Sequence, residues 1–330
     1  MQKAGKIALK VGIIVLAVIA ALLLLVKAVD GIAFASFYTN SEIAYATPGV
    51  TENYVPQGYD YDEKEKLFLT TGYMSDNTAS RVYVIDENGN AYFTALKKAD
   101  GSAYTGHTGG IVHYGQYAYI TGSKGLDVFS YADLLNKETT ETKLLGTIRT
   151  YNDPAHCYIQ NGYVFAGSFF IENDYETPAH ERVTTPAGDE NTSIITVFKL
   201  DDSKDFCVDP TPRAVISTRR CVQGMCFTDE GKIVLSTSYG LSASQLFVYD
   251  PTGLVGEAYD FVGKDFEFKG IQRFYLDSAC LVDTITAPPM SEELVFLDNK
   301  IYVMSESACN KYIFGKFTSG FNVYAYKYDK

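Results

Sequence analysis

The chain has 330 residues, is 46% hydrophobic, and carries 26 Tyr and 20 Phe with no Trp. That length suits a repeat or all-β unit, and aromatic-rich composition fits many short, packed strands better than helices. The formal net charge of −12 argues against a nucleic-acid partner, because phosphate binding needs a basic stripe and none is present.

The first segment, residues 1–30, differs from the rest. Lys3, Lys6 and Lys10 precede the apolar run VGIIVLAVIAALLLLV, residues 11–26. Counted from Ile7, residues 7–26 approach the ~20 residues that span a bilayer as a helix. Basic residues beside such a run mark the cytoplasmic side, so the expectation is a single-pass membrane anchor with the rest of the chain extracytoplasmic. The alternative is a cleaved signal peptide, for which Ala33-Phe34-Ala35 supplies a small-residue site. Beyond residue 30 there remain 24 basic and 39 acidic residues, so the acidity belongs to the outer part. In that compartment the six cysteines, Cys157, Cys207, Cys221, Cys226, Cys280 and Cys309, could form disulfides; their spacing does not choose a pairing.

Residues 106–135 read as one unit of a repeat: a polar or small cluster, an apolar strand, a tight polar turn, a second strand ending in Ser, Thr or Gly, a loop, and a third strand. The pattern recurs with first strands QGYDYD (57–62), GGIVHY (109–114), HCYIQ (156–160), GMCFT (224–228) and EELVFL (292–297). The turns after them are rich in Asn, Asp and Gly, which is a hairpin signal. Second strands are apolar at consecutive positions, as a sheet covered on both faces requires. Fourth strands follow as AYFTAL (91–96), KLLGTIRT (143–150), RAVIST (213–218) and LVDTITAP (281–288). Four-stranded units repeated radially make a β-propeller.

The fifth repeat stops after its third strand, FNVYAYKYD (321–329). SEIAYATPGV (41–50) has the length to supply the missing strand and is expected to pair with 321–328. The resulting division is a cytoplasmic tip and anchor (1–30), a tether (31–40) and an all-β, five-bladed propeller (41–330) closed by an N-terminal strand. A six-bladed ring remains an alternative, with 254–287 as a further blade.

In such a ring the loops joining second and third strands share a face with the segments leading into each blade. Long loops on a rigid scaffold are where binding usually sits, and 171–192 and 308–320 are the long ones. The lead-in segments VPQG, GHTGG, DPAHC, VQGMC and PPMSEE converge there. They place Gln57, His107, His156, Gln223, Glu292 and Glu293 as a candidate ligand-binding funnel. His107 and His156 are weak candidates for a metal such as calcium or for acid-base chemistry. Glycoside cleavage needs two carboxyl groups about 5–10 Å apart, for which Glu292 or Glu293 could pair with Asp153, Glu306 or Glu172. His113 reads as a packed core histidine and His180 as a solvated loop residue.

The repeat pattern over residues 41–330 resembles the five-bladed β-propeller proteins, a class containing arabinan-degrading glycosidases, calcium-dependent nucleotidases and sugar-binding lectins. PPMSEE followed by YVMSESACNKY is similar to the wording of membrane-anchored bacterial propeller proteins of uncharacterised activity. The resemblance is architectural and carries no catalytic residue. The expected function is binding of a small molecule or envelope glycan at the top of the channel. The alternatives are a glycosidase-like or metal-dependent hydrolase in the same funnel, and a scaffold for envelope proteins.

Overall fold

The computed structural model describes residues 2–312, 315–318 and 320–329. Five sheets, each antiparallel over its four blade strands, form a ring with the innermost strands at the axis: Tyr54–Asp62, Ile111–Tyr114, Pro154–Gln160, Val222–Phe227 and Ser291–Leu297. Each innermost strand packs against those of the two neighbouring blades, so the ring is closed. The fold is a five-bladed β-propeller.

Closure uses both ends of the propeller. Ser41–Ala46 runs antiparallel to Asn322–Lys327, with Ser41 opposite Tyr326 and Ala46 opposite Asn322. The fifth sheet therefore takes its outermost strand from the start of the ring, so the two ends of the propeller hold each other.

Alternation and burial place one apolar core between each adjacent pair of blades. Leu69, Val82 and Val84 meet Ile111, Ala118 and Ile120 between blades one and two. Cys226, Val234 and Leu246 meet Leu294, Ile301 and Val303 between blades four and five. A fully buried side chain of this size contributes about 1.5–3 kcal/mol, and the ring distributes that stabilisation over five interfaces. All six cysteines are free thiols; Cys157, Cys226, Cys280 and Cys309 are buried.

The span 254–287 does not make a sixth blade. Val255–Gly263 and Phe266–Tyr275 form a hairpin whose second strand pairs parallel with Ala214–Thr218, widening the third blade at its outer edge. Leu281–Ala287 is the fourth strand of blade four. His180, expected in solvent, packs edge-on against Phe261 and Phe266 of that hairpin, with centroids 5.4 and 6.0 Å away. His113 packs between blades one and two: its Nδ1 lies 2.6 Å from Asp60 Oδ2, and its ring stacks on Tyr131.

Ahead of the ring, helix Gln2–Ala33 contains the 25-residue apolar stretch Leu9–Ala33, within which an 18-residue window reaches a mean hydropathy of 3.0. At ~1.5 Å per residue this is about 37 Å, enough to cross a ~30 Å hydrocarbon core. It has the length and composition of a membrane anchor or a signal sequence. Within the segment 31–40, expected as a tether, residues 31–33 continue the exposed helix and the residues after them lie against the ring. A short helix, Ala35–Thr39, carries Phe37 into the core between blades four and five, where it stacks on Tyr326 at 5.6 Å.

Candidate functional site

The innermost strands do not run regularly to the funnel end. Their ladders skip Gln57 in blade one, Ala155 in blade three, Gln223 in blade four, and Glu292 with Glu293 in blade five. Bulges of this kind re-aim side chains near sites. Glycines follow two of them for a steric reason. A Cβ on Gly58 would lie 2.6 Å from the Gly110 carbonyl carbon, and one on Gly224 2.4 Å from the Glu293 Cα. The inner strands approach too closely there for any side chain.

Above the bulges opens a cavity of about 1010 Å³. Gln57, Gly109, Ala155, Gln223 and Met290 supply its floor, one from each blade. The loops joining second and third strands, with the connection 98–110 from blade one to blade two, build the walls. Tyr104, Phe169, Tyr175, Tyr239 and Tyr312 contribute aromatic faces, and Lys98 and Lys311 contribute cations.

Of the six residues singled out above, Gln57, His107 and Gln223 line this cavity. Gln57 Nε2 donates to Glu306 Oε2 at 2.8 Å, and Gln223 Nε2 to Glu292 Oε1 at 3.4 Å. His107 has an exposed surface on the cavity and is otherwise enclosed by its walls, with its ring edge-on to Tyr73 at 4.6 Å. Burial and the nearby Lys311 charge push it down to about 4, so at neutral pH it is an uncharged donor and acceptor.

His156, Glu292 and Glu293 lie beneath, each at most 1% exposed. In blade three the bulged residue is Ala155. A shift of one position turns a strand side chain to the opposite face, which takes His156 out of the funnel. Its two ring nitrogens have no hydrogen-bond partner, and burial pushes it down to about 3. Glu293 serves the scaffold: it accepts from the backbone N–H of Met225 at 2.8 Å and of Cys157 at 3.3 Å. It thereby ties blades three, four and five together at the axis. Burial raises both Glu292 and Glu293 well above the ordinary carboxyl range, and the Glu306 charge adds to the rise at Glu292.

Two further carboxyl groups face the cavity. Glu306 is pushed up to about 7 by burial, against the opposing pull of Lys311, Tyr312 and Gln57. Lys311 is itself hydrogen-bonded to the Tyr73 hydroxyl. Glu181, delivered by the long loop 171–192, is 1% exposed. Ser168 Oγ donates to its Oε2 at 2.7 Å, while Oε1 has no hydrogen bond and lies 4.0 Å from His180 Nε2. Burial pushes it up to about 8; Asp153, on the same wall, adds to the rise and the Ser168 bond opposes it. Glu181 stands in the sequence as one of several acids in a polar loop, and no local signal there marks it as buried.

Among the described residues, no three His, Cys, Asp or Glu side chains come together as a metal site. His107 and His156 fall on different sides of the cavity floor.

No protein-family model matches the chain, and no curated protein matches it in sequence. Solved structures share its fold at low identity. The PQQ-bound aldose sugar dehydrogenase from Streptomyces coelicolor is similar with a TM-score of 0.46 at 11% identity, over 86% of this chain and 95% of that one. The XC5397 gluconolactonase from Xanthomonas campestris gives 0.40 at 13%, over 86% of each chain. The exo-β-1,3-galactanase from Phanerochaete chrysosporium gives 0.48 at 11%, over 87% of this chain and 62% of that one. These likenesses concern the propeller architecture, and function is argued from the site.

Proposed function

We propose that the funnel binds an uncharged, polyhydroxylated small molecule or the end of a glycan, in a propeller held outside the cytoplasm by its N-terminal helix. One observation carries the reading: a cavity of about 1010 Å³ whose floor presents the amides of Gln57 and Gln223 and whose buried carboxyl groups are pushed up by burial, Glu181 to about 8 and Glu306 to about 7. Amides and protonated carboxyl groups both donate and accept, which complements hydroxyl groups. Tyrosine and phenylalanine walls supply apolar faces, and the volume falls at the upper end of the ~300–1,000 Å³ usual for ligand pockets. The test is calorimetric titration of the full chain with neutral oligosaccharides. Gln57→Leu and Gln223→Leu should each weaken binding, since a ligand group left facing an apolar side chain loses its partner.

A hydrolytic reading is favoured by Glu181, which at pH 7 keeps a proton beside the open cavity, as a general acid must. Under that reading Glu181→Gln abolishes turnover and leaves binding intact. Under the binding reading no product forms with either protein.

A further inference from the structure

The anchor helix leaves the ring on the funnel side. The helix lies beside Gly315–Phe317, part of the loop 308–320 whose Lys311 and Tyr312 line the cavity. From there the chain descends the outside of the ring. Phe37 sits against Tyr324 and Tyr326, and the Asn40 carbonyl accepts from Lys327 N–H at the far end of that strand. At Asn40 the chain turns and climbs back as the closing strand. No slack separates helix from ring: the Tyr38 hydroxyl donates to Asp30 Oδ2 at 2.6 Å across the junction. The apolar stretch Leu9–Ala33 is otherwise unburied, so it projects away from the blades.

A helix of this length that crosses a bilayer brings the membrane surface to about residue 30, within a turn or two of the ring. The rim on that same side carries exposed apolar and aromatic side chains: Tyr175 at 49%, Tyr239 at 50%, Leu241 at 56% and Phe321 at 38%. Tyr175 and Tyr239 also line the cavity. Tyrosines are enriched at the membrane–water interface, where an amphipathic ring meets head groups.

We infer that the funnel mouth faces the bilayer in which the chain's own helix is anchored, and that its ligand is the uncharged sugar head group of a membrane lipid. This rests on the funnel-binding reading above. A site closed against the membrane surface takes ligand from two dimensions, and the anchor keeps the mouth at head-group height.

The chain has no Trp, so single tryptophans report position without background. The full chain, with its helix intact, is reconstituted into lipid vesicles with and without lipids brominated near the head group. Leu241→Trp and Phe321→Trp on the rim should be quenched, and Gln116→Trp, in a hairpin on the opposite face, should not. Quenching of Gln116→Trp alone, or of none, overturns the orientation. In a second arm, melting of the vesicle-bound protein is followed with an uncharged glycolipid in the bilayer and with the same free sugar. A rise with the glycolipid, lost in Gln57→Leu, supports the proposal. A rise with free sugar alone overturns the membrane source and leaves the funnel-binding reading standing, whereas no rise with either overturns both.

Discussion

Glu181→Gln isolates the buried carboxyl that most distinguishes this cavity. In the unfolded chain the group titrates near 4.5, and in the folded chain near 8. Between those values the folded state holds a proton that the unfolded state has released, so stability falls as pH rises through the window and levels off above about 8. At ~1.4 kcal/mol per pH unit the full displacement is worth about 5 kcal/mol, an upper figure because local relaxation and water entry reduce it. Glutamine keeps the shape and the oxygen that accepts from Ser168 but does not titrate. Urea unfolding of both proteins at pH 5 and pH 8.5 gives the comparison. Wild type should lose several kcal/mol more than the variant between the two, and at pH 8.5 the variant should be the more stable. Equal losses would mean that Glu181 is ionised in the fold, which would remove both the donor role and the general-acid role argued for it.

His156→Leu removes a buried ring whose nitrogens have no partner. It should raise stability or leave it unchanged near neutral pH and leave ligand affinity intact, since an unpaired buried polar group costs about 1–3 kcal/mol. His156 is pushed from 6.5 down to about 3, so native stability is lost as pH falls below 6.5. Denaturation curves for His156→Leu should show a shallower acid loss. Phe37→Ala empties the seam between blades four and five and should cost about 3–5 kcal/mol in urea unfolding; a cost under ~1 kcal/mol would show that 31–40 is a loose tether after all. Gly224→Ala places a methyl 2.4 Å from the Glu293 Cα and should lower the melting temperature sharply, read by circular dichroism.

Much of the ring could be read from local pattern. The recurring apolar strands, their short turns rich in Asn, Asp and Gly and the orphaned third strand at 321–329 together imply five blades and a closing strand. What could not be read is non-local. The hairpin 255–275 finds its partner in Ala214–Thr218, a parallel pairing with no turn signature, and His180 is packed only because that hairpin covers it. Gln57 and Gln223 were legible because the Gln-Gly pair repeats. His156 was not, because the bulge in blade three falls on Ala155 and reverses the next side chain. Glu181 depends on how a long loop folds back over the funnel, which no nearby residue announces. In residues 34–38, the aromatics of FASFY were a visible sign that the segment packs: Phe37 is fully buried between blades four and five, and Phe34 and Tyr38 pack partly buried against the same core.

The central claim is that the funnel is a binding site for a neutral polyhydroxylated ligand. Its most direct measurement is calorimetric titration of the full chain with a panel of neutral oligosaccharides, wild type beside Gln57→Leu and Gln223→Leu. Selective binding weakened at least about tenfold by each substitution, the scale of one lost hydrogen bond of ~1.4 kcal/mol, is the predicted result. Binding untouched by both substitutions, or heat from none of the sugars, would contradict it.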